Sequence, residues 1–303
     1  MIVPPALRAG DVVALIAPAG PLASRVDLDT AIARVEALGL RPRLGDHVMG
    51  RHGYLAGTDL ERAADLNAAL RDPSVRGIFA VRGGYGTTRI LDAVDYAALR
   101  NDPKVLLGYS DLTALLNACT ARAGVVTFHG PVVAVSPFGA DEVAWLRRAL
   151  FDGEPLGTLH VPGGTALRAG RATGRLAGGN LSLLAALAGT PYAIDCAGAI
   201  VVLEEIDEAP YRIDRMLTQL RASDALRRCA GIVLGTFAGC DAPDDADPER
   251  RLAFVFADRL GDLGVPVLSG APIGHAGEQW TLPIGAPATL DAGSRTLSVL
   301  PAE

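Results

Sequence analysis

The sequence predicts an α/β fold, with an N-terminal parallel-sheet domain followed by a smaller, β-rich C-terminal domain. Short apolar runs alternate with helix-like segments over roughly the first 150 residues. Because parallel strands need long crossover connections, usually helices, this alternation is typical of βαβ units. The second half has fewer helices, and its apolar runs lie close together toward the C-terminus, which indicates antiparallel or barrel-like pairing there.

The elements of the first domain follow from local patterns. "DVVALIAPAG" has the character of a buried strand ended by Pro and Gly, and "LDTAIARVEALGL" carries apolar residues at helical spacing. Thr58 and Glu61 have the spacing of a capping box, so they predict the start of the next helix. The series continues with strand "GIFAV", helix "TTRILDAVDYAAL", strand "KVLLG", helix "DLTALLNACTARAG", strand "VVTFHGP" and helix "ADEVAWLRRALF".

A segment rich in Gly and Pro, "DGEPLGTLHVPGGTALRAG", interrupts this alternation. We therefore expect a first domain over residues 1–152, a linker over 153–170 and a second domain over 171–303. Apolar runs such as "AIVVLEE", "AGIVLGTF" and "QWTLPIG" supply the strands expected in the second domain.

Composition excludes several classes of protein. The net charge of −6 is scattered along the chain without a basic block, which argues against a nucleic-acid partner. The apolar runs are far shorter than the roughly 18 residues that span a bilayer. The N-terminus lacks the features of a secretory signal, so we expect a cytoplasmic protein that does not bind membranes.

The four cysteines carry no sign of a metal or redox site. Cys119, Cys196, Cys229 and Cys240 are widely separated, without a CxxC pair or a histidine at metal-ligand spacing. We expect buried thiols in a reducing compartment, with no metal and no cofactor.

The glycine-rich stretch "RGGYGTTR" (82–89) follows a predicted strand and precedes a predicted helix. Its backbone N–H groups could bind a phosphate, a carboxylate or an oxyanion at the helix start. The stretch lacks the Gly-Lys-Ser/Thr ending of a Walker A loop and departs by one glycine from the GxGxxG spacing, so it indicates nucleotide binding only weakly. A tight βα turn explains the same glycines.

Ser110 lies between a predicted strand and a predicted helix, in "VLLGYSDLTALL". It is therefore expected at the carboxyl end of a strand, where open α/β sheets bind ligands. The segment resembles a nucleophile elbow without the final glycine. Locally, a helix cap made by Ser110 and Asp111 is favoured, since both residue types prefer helix starts.

A nucleophilic serine needs a base and an acid that orients the base. His129, in "FHGP", ends a strand of the first domain, and His275 lies in the glycine-flanked turn "IGHAG"; local patterns leave both open as the base. Glu204 and Glu205 end the buried strand "AIVVLEE", and strand alternation allows only one of them on any given face.

Together these stretches resemble the LD-carboxypeptidases, serine peptidases that act on murein tetrapeptides, and their microcin-immunity relatives. The matching stretches occur in the family's order along nearly the whole chain: "IAPAGP", "RGGYGTTRIL", "GYSDLTALL", "FHGP", "LAGGNLSLL", "LEEIDEAPYRIDRML" and "IGHAGEQWTLPIG". The resemblance implies a Ser-Glu-His triad in which Ser110 is the nucleophile, Glu204 the acid and His275 the base. Relatives often have Glu-Asp where this chain has Glu204-Glu205, so the sequence leaves an exchange of roles between these two acids open.

The resemblance also implies an active site at the interface of the two domains and a homodimer. We expect the backbone N–H groups of Asp111 and Gly84 to form the oxyanion hole. The candidate substrate-binding residues are Arg82, Tyr85, His129 and Asn180.

The function that follows is hydrolysis of the bond to a terminal D-amino acid, the D-alanine of murein tetrapeptide, in peptidoglycan recycling. A same-family alternative is hydrolysis of a peptidyl-nucleotide antibiotic. Two alternatives come from other classes: a non-enzymatic protein that binds a small carboxylate, and a nucleotide-dependent enzyme that uses "RGGYG".

Overall fold

The protein is described here by a computed structural model that covers residues 1–241, 246–275 and 277–301. The strands are β1 (Val12–Ile16), β2 (Arg41–Leu44), β3 (Val75–Ala80), β4 (Val105–Gly108), β5 (Thr127–His129), β6 (Gly157–His160), β7 (Thr165–Arg168), β8 (Arg171–Asn180), β9 (Ile200–Ile206), β10 (Gly231–Ala238), β11 (Val267–Ser269), β12 (Leu282–Ile284), β13 (Pro287–Asp291) and β14 (Thr296–Val299). The helices are α1 (Arg25–Ala37), α2 (Asp59–Arg71), α3 (Tyr96–Asn101), α4 (Leu112–Ala123), α5 (Ala140–Leu150), α6 (Leu181–Leu187), α7 (Pro210–Ala222) and α8 (Leu252–Leu260).

The chain divides into two compact units, each with its own sheet, which confirms the predicted mixed α/β class. Among the described residues, unit 1 comprises Met1–Glu154 and Trp280–Gly285, and unit 2 comprises Pro155–Gln279 and residues 286–301. These bounds differ from the expected ones in two ways: the expected linker belongs to unit 2, and Trp280–Gly285 belongs to unit 1. Both differences arise from strands that pair with partners distant in sequence.

The segment predicted to be a linker, 153–170, contains β6 and β7 instead. β6 pairs with β14 and β7 with β11, both antiparallel, within unit 2. Likewise β12 pairs with β5 of unit 1, although the strands that follow it belong to unit 2. Short strands among glycines and prolines show little periodicity, so these pairings leave almost no local signal.

The sheet of unit 1 has the strand order β12–β5–β4–β3–β1–β2, and its strands are parallel except for β12. Alternate residues of its strands, such as Leu15, Phe79 and Leu107, are buried together in one core cluster, which also takes in Val35 of α1 and Leu146 of α5. Because β1 to β5 are parallel, their carboxyl ends lie at the same edge of the sheet, where the βα turns can form a ligand-binding or active site.

The helix starts in unit 1 follow the capping rules only in part. The capping box predicted from Thr58 and Glu61 is confirmed, since both of its hydrogen bonds are present. The single helix predicted over "TTRILDAVDYAAL" is instead two 3-10 turns followed by α3. Asp95 starts that helix anew: its carboxylate accepts from Ala98 N, while its own N–H donates to Asn67 Oδ1 on α2.

The sheet of unit 2 has the strand order β6–β14–β13–β8–β9–β10–β11–β7. Its central strands β8 to β11 are parallel, and the flanking pairings are antiparallel, as expected for closely spaced strands near the C-terminus. Val201 and Leu203 of β9 belong to a core cluster that also contains Ile213 and Leu217 of α7. Strand alternation then places Glu204 on the opposite face of β9 from these residues.

Candidate active site

Ser110 lies on a sharp turn between β4 and α4, in a backbone conformation that non-glycine residues rarely adopt. Its φ is +62°, in the left-handed region. The turn is closed by hydrogen bonds from Leu112 N to Tyr109 O (3.2 Å) and from Thr113 N to Ser110 O (2.9 Å). Gly108 makes room for it, because a Cβ there would lie 2.7 Å from Leu112 Cγ. This is the geometry of a nucleophile elbow.

The helix cap expected from Ser110 and Asp111 is wrong. A capping residue has extended backbone and accepts a hydrogen bond from the first turn through its side chain. At the start of α4 the cap position is Asp111, which has helical backbone and makes no side-chain cap. A left-handed serine costs on the order of 1–3 kcal/mol, which a function at this position would explain.

The glycine-rich turn packs directly against Ser110. A Cβ on Gly83 would lie 3.1 Å from Ser110 Cβ and 3.3 Å from Ser110 Oγ. Gly84 has φ +115° and passes so close to Gly20 that a Cβ would lie 3.2 Å from the Gly20 Cα. Gly83 therefore brings main-chain atoms of the turn next to the serine, where any side chain would be crowded.

Asp111 fastens the same turn to the elbow. Its buried carboxylate accepts from Thr87 N at 2.8 Å, and Thr87 Oγ1 donates back to Asp111 O at 2.5 Å. Burial raises the pKa of the Asp111 carboxyl, while the hydrogen bonds from Thr87 oppose the rise. For Asp111 the sequence predicted a helix cap and a backbone N–H in the oxyanion hole, and it did not point to Thr87.

The other candidates of unit 1 differ in accessibility. Arg82 donates through Nη1 to Pro21 O at 2.7 Å, which anchors the start of the glycine-rich turn. Tyr85 is 47% exposed, with its ring centroid 5.7 Å from that of Tyr54. His129 is only 1% exposed, and its ring stands edge-on to Tyr109 at 6.0 Å.

In unit 2, His275 and Glu204 form a hydrogen-bonded pair. His275 Nδ1 lies 2.7 Å from Glu204 Oε2, and the Glu204 side chain is 0% exposed. An ionised Glu204 can only accept, so Nδ1 then carries the proton and Nε2 is left as the basic nitrogen. Burial raises the pKa of the Glu204 carboxyl, and the adjacent His275 opposes that rise.

Gly274 allows this pair to form. Its φ is +111°, and a Cβ there would lie 2.6 Å from Glu204 Oε2 and 2.8 Å from Thr236 Oγ1. Thr236 in turn binds Ile273 O through both its N–H (2.7 Å) and its Oγ1 (2.9 Å). The turn that carries His275 is therefore tied to β10 at a bulge in the strand.

Glu205 takes a different set of partners from Glu204. Its carboxylate accepts from Asn180 Nδ2 (2.8 Å), Ser182 N (2.8 Å) and Ile206 N (3.0 Å). Asn180 is itself buried at the start of α6, where its Oδ1 accepts from Leu183 N. Of the two acids that the sequence left open, the structure thus pairs Glu204 with the histidine.

Residues 1–241, 246–275 and 277–301 contain no group of three or more His, Cys, Asp or Glu side chains placed to hold a metal ion. Within the same ranges, no helix is both long and apolar enough to cross a bilayer.

Fold and site together define a mixed α/β protein whose first unit carries a serine on an elbow and whose second unit carries a histidine–carboxylate pair. Models of the LD-carboxypeptidase N-terminal and C-terminal domains match residues 13–130 and 173–290. A probable murein peptide carboxypeptidase from Bacillus subtilis is 41% identical over 298 residues, which cover 97% of this chain and 92% of that protein. The chain therefore belongs to the LD-carboxypeptidase family.

Two further relatives bear on its chemistry. The crystal structure of muramoyltetrapeptide carboxypeptidase from Oxalobacter formigenes has a TM-score of 0.84 and 31% identity, covering 95% of this chain and 97% of that one. The microcin C7 self-immunity protein MccF of Escherichia coli is 26% identical over 281 residues, which cover 81% of this chain and 80% of that protein. Family and relatives together support a peptidase of the carboxypeptidase type.

Proposed function

We propose that this protein is a serine LD-carboxypeptidase that removes the terminal D-alanine from murein tetrapeptide. Ser110 is the nucleophile, His275 the base, and Glu204 the acid that orients the base. The observation that carries the proposal is the elbow at Ser110, where a left-handed serine at the carboxyl end of β4 packs against the glycine-rich turn. The buried Glu204–His275 pair supplies the second half of the chemistry.

The proposed reaction follows the logic of other serine hydrolases. Nε2 of His275 takes the proton from Ser110 as Oγ attacks the carbonyl, and later returns it to the leaving amine. Glu204 accepts from Nδ1 throughout, which holds the ring and stabilises the charged imidazolium. The N–H groups of Asp111 and Gly84 would donate to the oxyanion, since the elbow and the glycine-rich turn are packed together.

Burial reduces the number of candidate residues that can contact the substrate. Tyr85 is exposed beside the glycine-rich turn, so we propose it as a contact with the peptide. Arg82 retains donors beyond the one that binds Pro21, so it could also take a substrate carboxylate. His129 and Asn180 are buried, and we propose that they support neighbouring groups rather than touch substrate. The homodimer stays a prediction from the resemblance, and the cytoplasmic location stays a prediction from the apolar runs and the N-terminal sequence.

Incubation with murein tetrapeptide and with its all-L counterpart, followed by mass measurement, tests the proposal. We expect the loss of one alanine from the tetrapeptide alone. Ser110→Ala should abolish this turnover with an unchanged melting temperature. Ser74→Ala is a matched control, because Ser74 precedes β3 at the opposite edge of the sheet, and it should keep full activity.

Other outcomes separate the alternatives. Turnover retained in Ser110→Ala would rule out the triad. Cleavage of a peptidyl-nucleotide but not of the tetrapeptide would favour the activity that the name of the MccF relative suggests. Thermal stabilisation by the tetrapeptide without any cleavage would favour a binding protein.

A further inference from the structure

A second carboxylate, Glu205, is buried immediately beside the one that binds the histidine. It is 3% exposed and adjoins Glu204 along β9. Burying a charge is costly unless it is paired or hydrogen-bonded. The three N–H groups that donate to Glu205 offset this cost, and all of them come from residues near the ends of β8 and β9.

The contacts of Glu205 determine how the Asn180 amide is oriented. Nδ2 of Asn180 donates to Glu205 Oε1 at 2.8 Å, and Oδ1 accepts from Leu183 N at 3.3 Å. With one end facing an acceptor and the other facing a donor, a flip of the amide would place two acceptors together and two donors together. The orientation is therefore fixed by Glu205 on one side and the α6 backbone on the other.

Asn180 connects Glu205 to the acid of the histidine pair. In the parallel pairing of β8 with β9, Asn180 is the register partner of Glu204. Burial raises the pKa of the Glu204 carboxyl, and the neighbouring Asn180 amide opposes this rise less strongly than His275 does. One hydrogen bond thus joins Glu205 to Asn180 and another joins Glu204 to His275, and the register of β8 with β9 places the two pairs side by side.

We propose that Glu205 is a positioning residue for the Glu204–His275 pair and acts through the Asn180 amide. Its effect on activity rests on the proposed function, whereas its effect on the geometry of the pair does not. The competing explanation is that Glu205 only stabilises the start of α6 through Ser182 N. A purely structural role of that kind would change the melting temperature but not the hydrogen bond of the histidine.

The decisive test is the NMR signal of the His275 Nδ1 proton in protein labelled with ¹⁵N-histidine, assigned by its loss in His275→Gln. We expect Glu205→Gln to shift this signal upfield and broaden it. A glutamine has one side-chain oxygen, which accepts, and one nitrogen, which only donates. It can therefore replace only one of the two carboxylate oxygens that accept from Asn180 and Ser182. Asp214→Asn is the matched control, because it removes an exposed carboxylate from α7 of the same unit, and it should leave the signal unchanged.

Kinetics supply a second readout. Loss of a partner that orients a metal-ligating side chain typically costs about 10- to 100-fold in activity, and by analogy we expect kcat of Glu205→Gln to fall by about this factor at nearly constant KM. Because Glu205 acts through Asn180, adding Glu205→Gln to Asn180→Ala should cause little further loss. If the loss of kcat in the double variant equals the product of the losses in the two single variants, the residues act independently and the proposal is wrong.

An unchanged Nδ1 signal in folded Glu205→Gln would also overturn it. If that variant does not fold, Asn180→Ala decides the question, since it leaves Glu205 bound to Ser182 and Ile206. An unchanged signal in Asn180→Ala then rejects the connection. A wild-type protein without turnover would refute the proposed function, while the NMR measurement would still decide the role of Glu205.

Discussion

At the scale of single residues, the candidate site depends on two backbone conformations in the left-handed region. Ser110 adopts one, with φ +62°, and Gly274 adopts the other, with φ +111°. The strain at Ser110 lifts a side chain out of the turn, whereas the missing Cβ of Gly274 lets the chain pass against Glu204. Neighbouring packing has to maintain both conformations.

Gly274→Ala should separate His275 from Glu204 and lower turnover more than stability alone explains. The added Cβ would lie 2.6 Å from Glu204 Oε2 and 2.8 Å from Glu204 Cβ, so the turn has to move. Gly264→Ala is the matched control, because Gly264 has φ +79° with nothing within 4 Å of a Cβ. Both variants should lose about 1–2 kcal/mol of stability from the left-handed backbone. When the two variants are compared at equal folded fraction, only Gly274→Ala should have a lower kcat/KM than the wild type. A wild-type kcat/KM in Gly274→Ala would contradict the prediction.

At the scale of elements, a histidine–carboxylate pair joins the loop after β2 to α2. His47 Nδ1 lies 2.7 Å from Asp65 Oδ1, and His47 N donates to Asp65 Oδ2 at 2.9 Å. Gly45 provides the space, since a Cβ there would lie 2.4 Å from Asp65 Oδ2. The hydrogen bond to Asp65 raises the pKa of His47.

This pair should make stability depend on pH. Because the pKa of His47 is higher in the folded state, its stabilising effect is fully present below the unfolded-state value of about 6.5 and is lost as the pH rises through the folded-state value. Urea midpoints between about pH 5.5 and 8.5 should therefore fall more steeply in the wild type than in His47→Gln. Asp65→Asn should flatten the profile in the same way, and parallel profiles for the three proteins would refute the role of the pair.

At the scale of the whole molecule, all four thiols are buried, in both units. Burial raises the pKa of Cys119 and Cys196 to about 12, and that of Cys229 and Cys240 to about 11. Since the thiolate is the reactive form, the native protein should react slowly with a disulfide reagent near pH 8. In denaturant, all four thiols should become accessible and react. A thiol that reacts rapidly in the native protein would contradict this expectation.

The sequence predicted those parts of the fold that are encoded locally. The alternation of strands and helices, the Thr58–Glu61 capping box and the position of Ser110 after β4 all follow from neighbouring residues. The strands β6 and β7 were missed, and β12 was predicted as a strand but assigned to the second domain, because the partners of all three are distant in sequence. The break before α3 was missed because Asn67, on another helix, holds the Asp95 backbone.

By itself, the sequence predicted the two-part α/β class and the candidate residues and, through resemblance, the roles that we propose for them. It could not decide whether Ser110 caps a helix, or whether Glu204 or Glu205 binds the histidine. The first question depends on the φ angle of Ser110. The second depends on which of the two carboxylates lies on the face of β9 that meets the turn at Gly274. Such quantities arise only when segments distant in the chain pack together, because the same local sequence is compatible with either arrangement until its neighbours are in place.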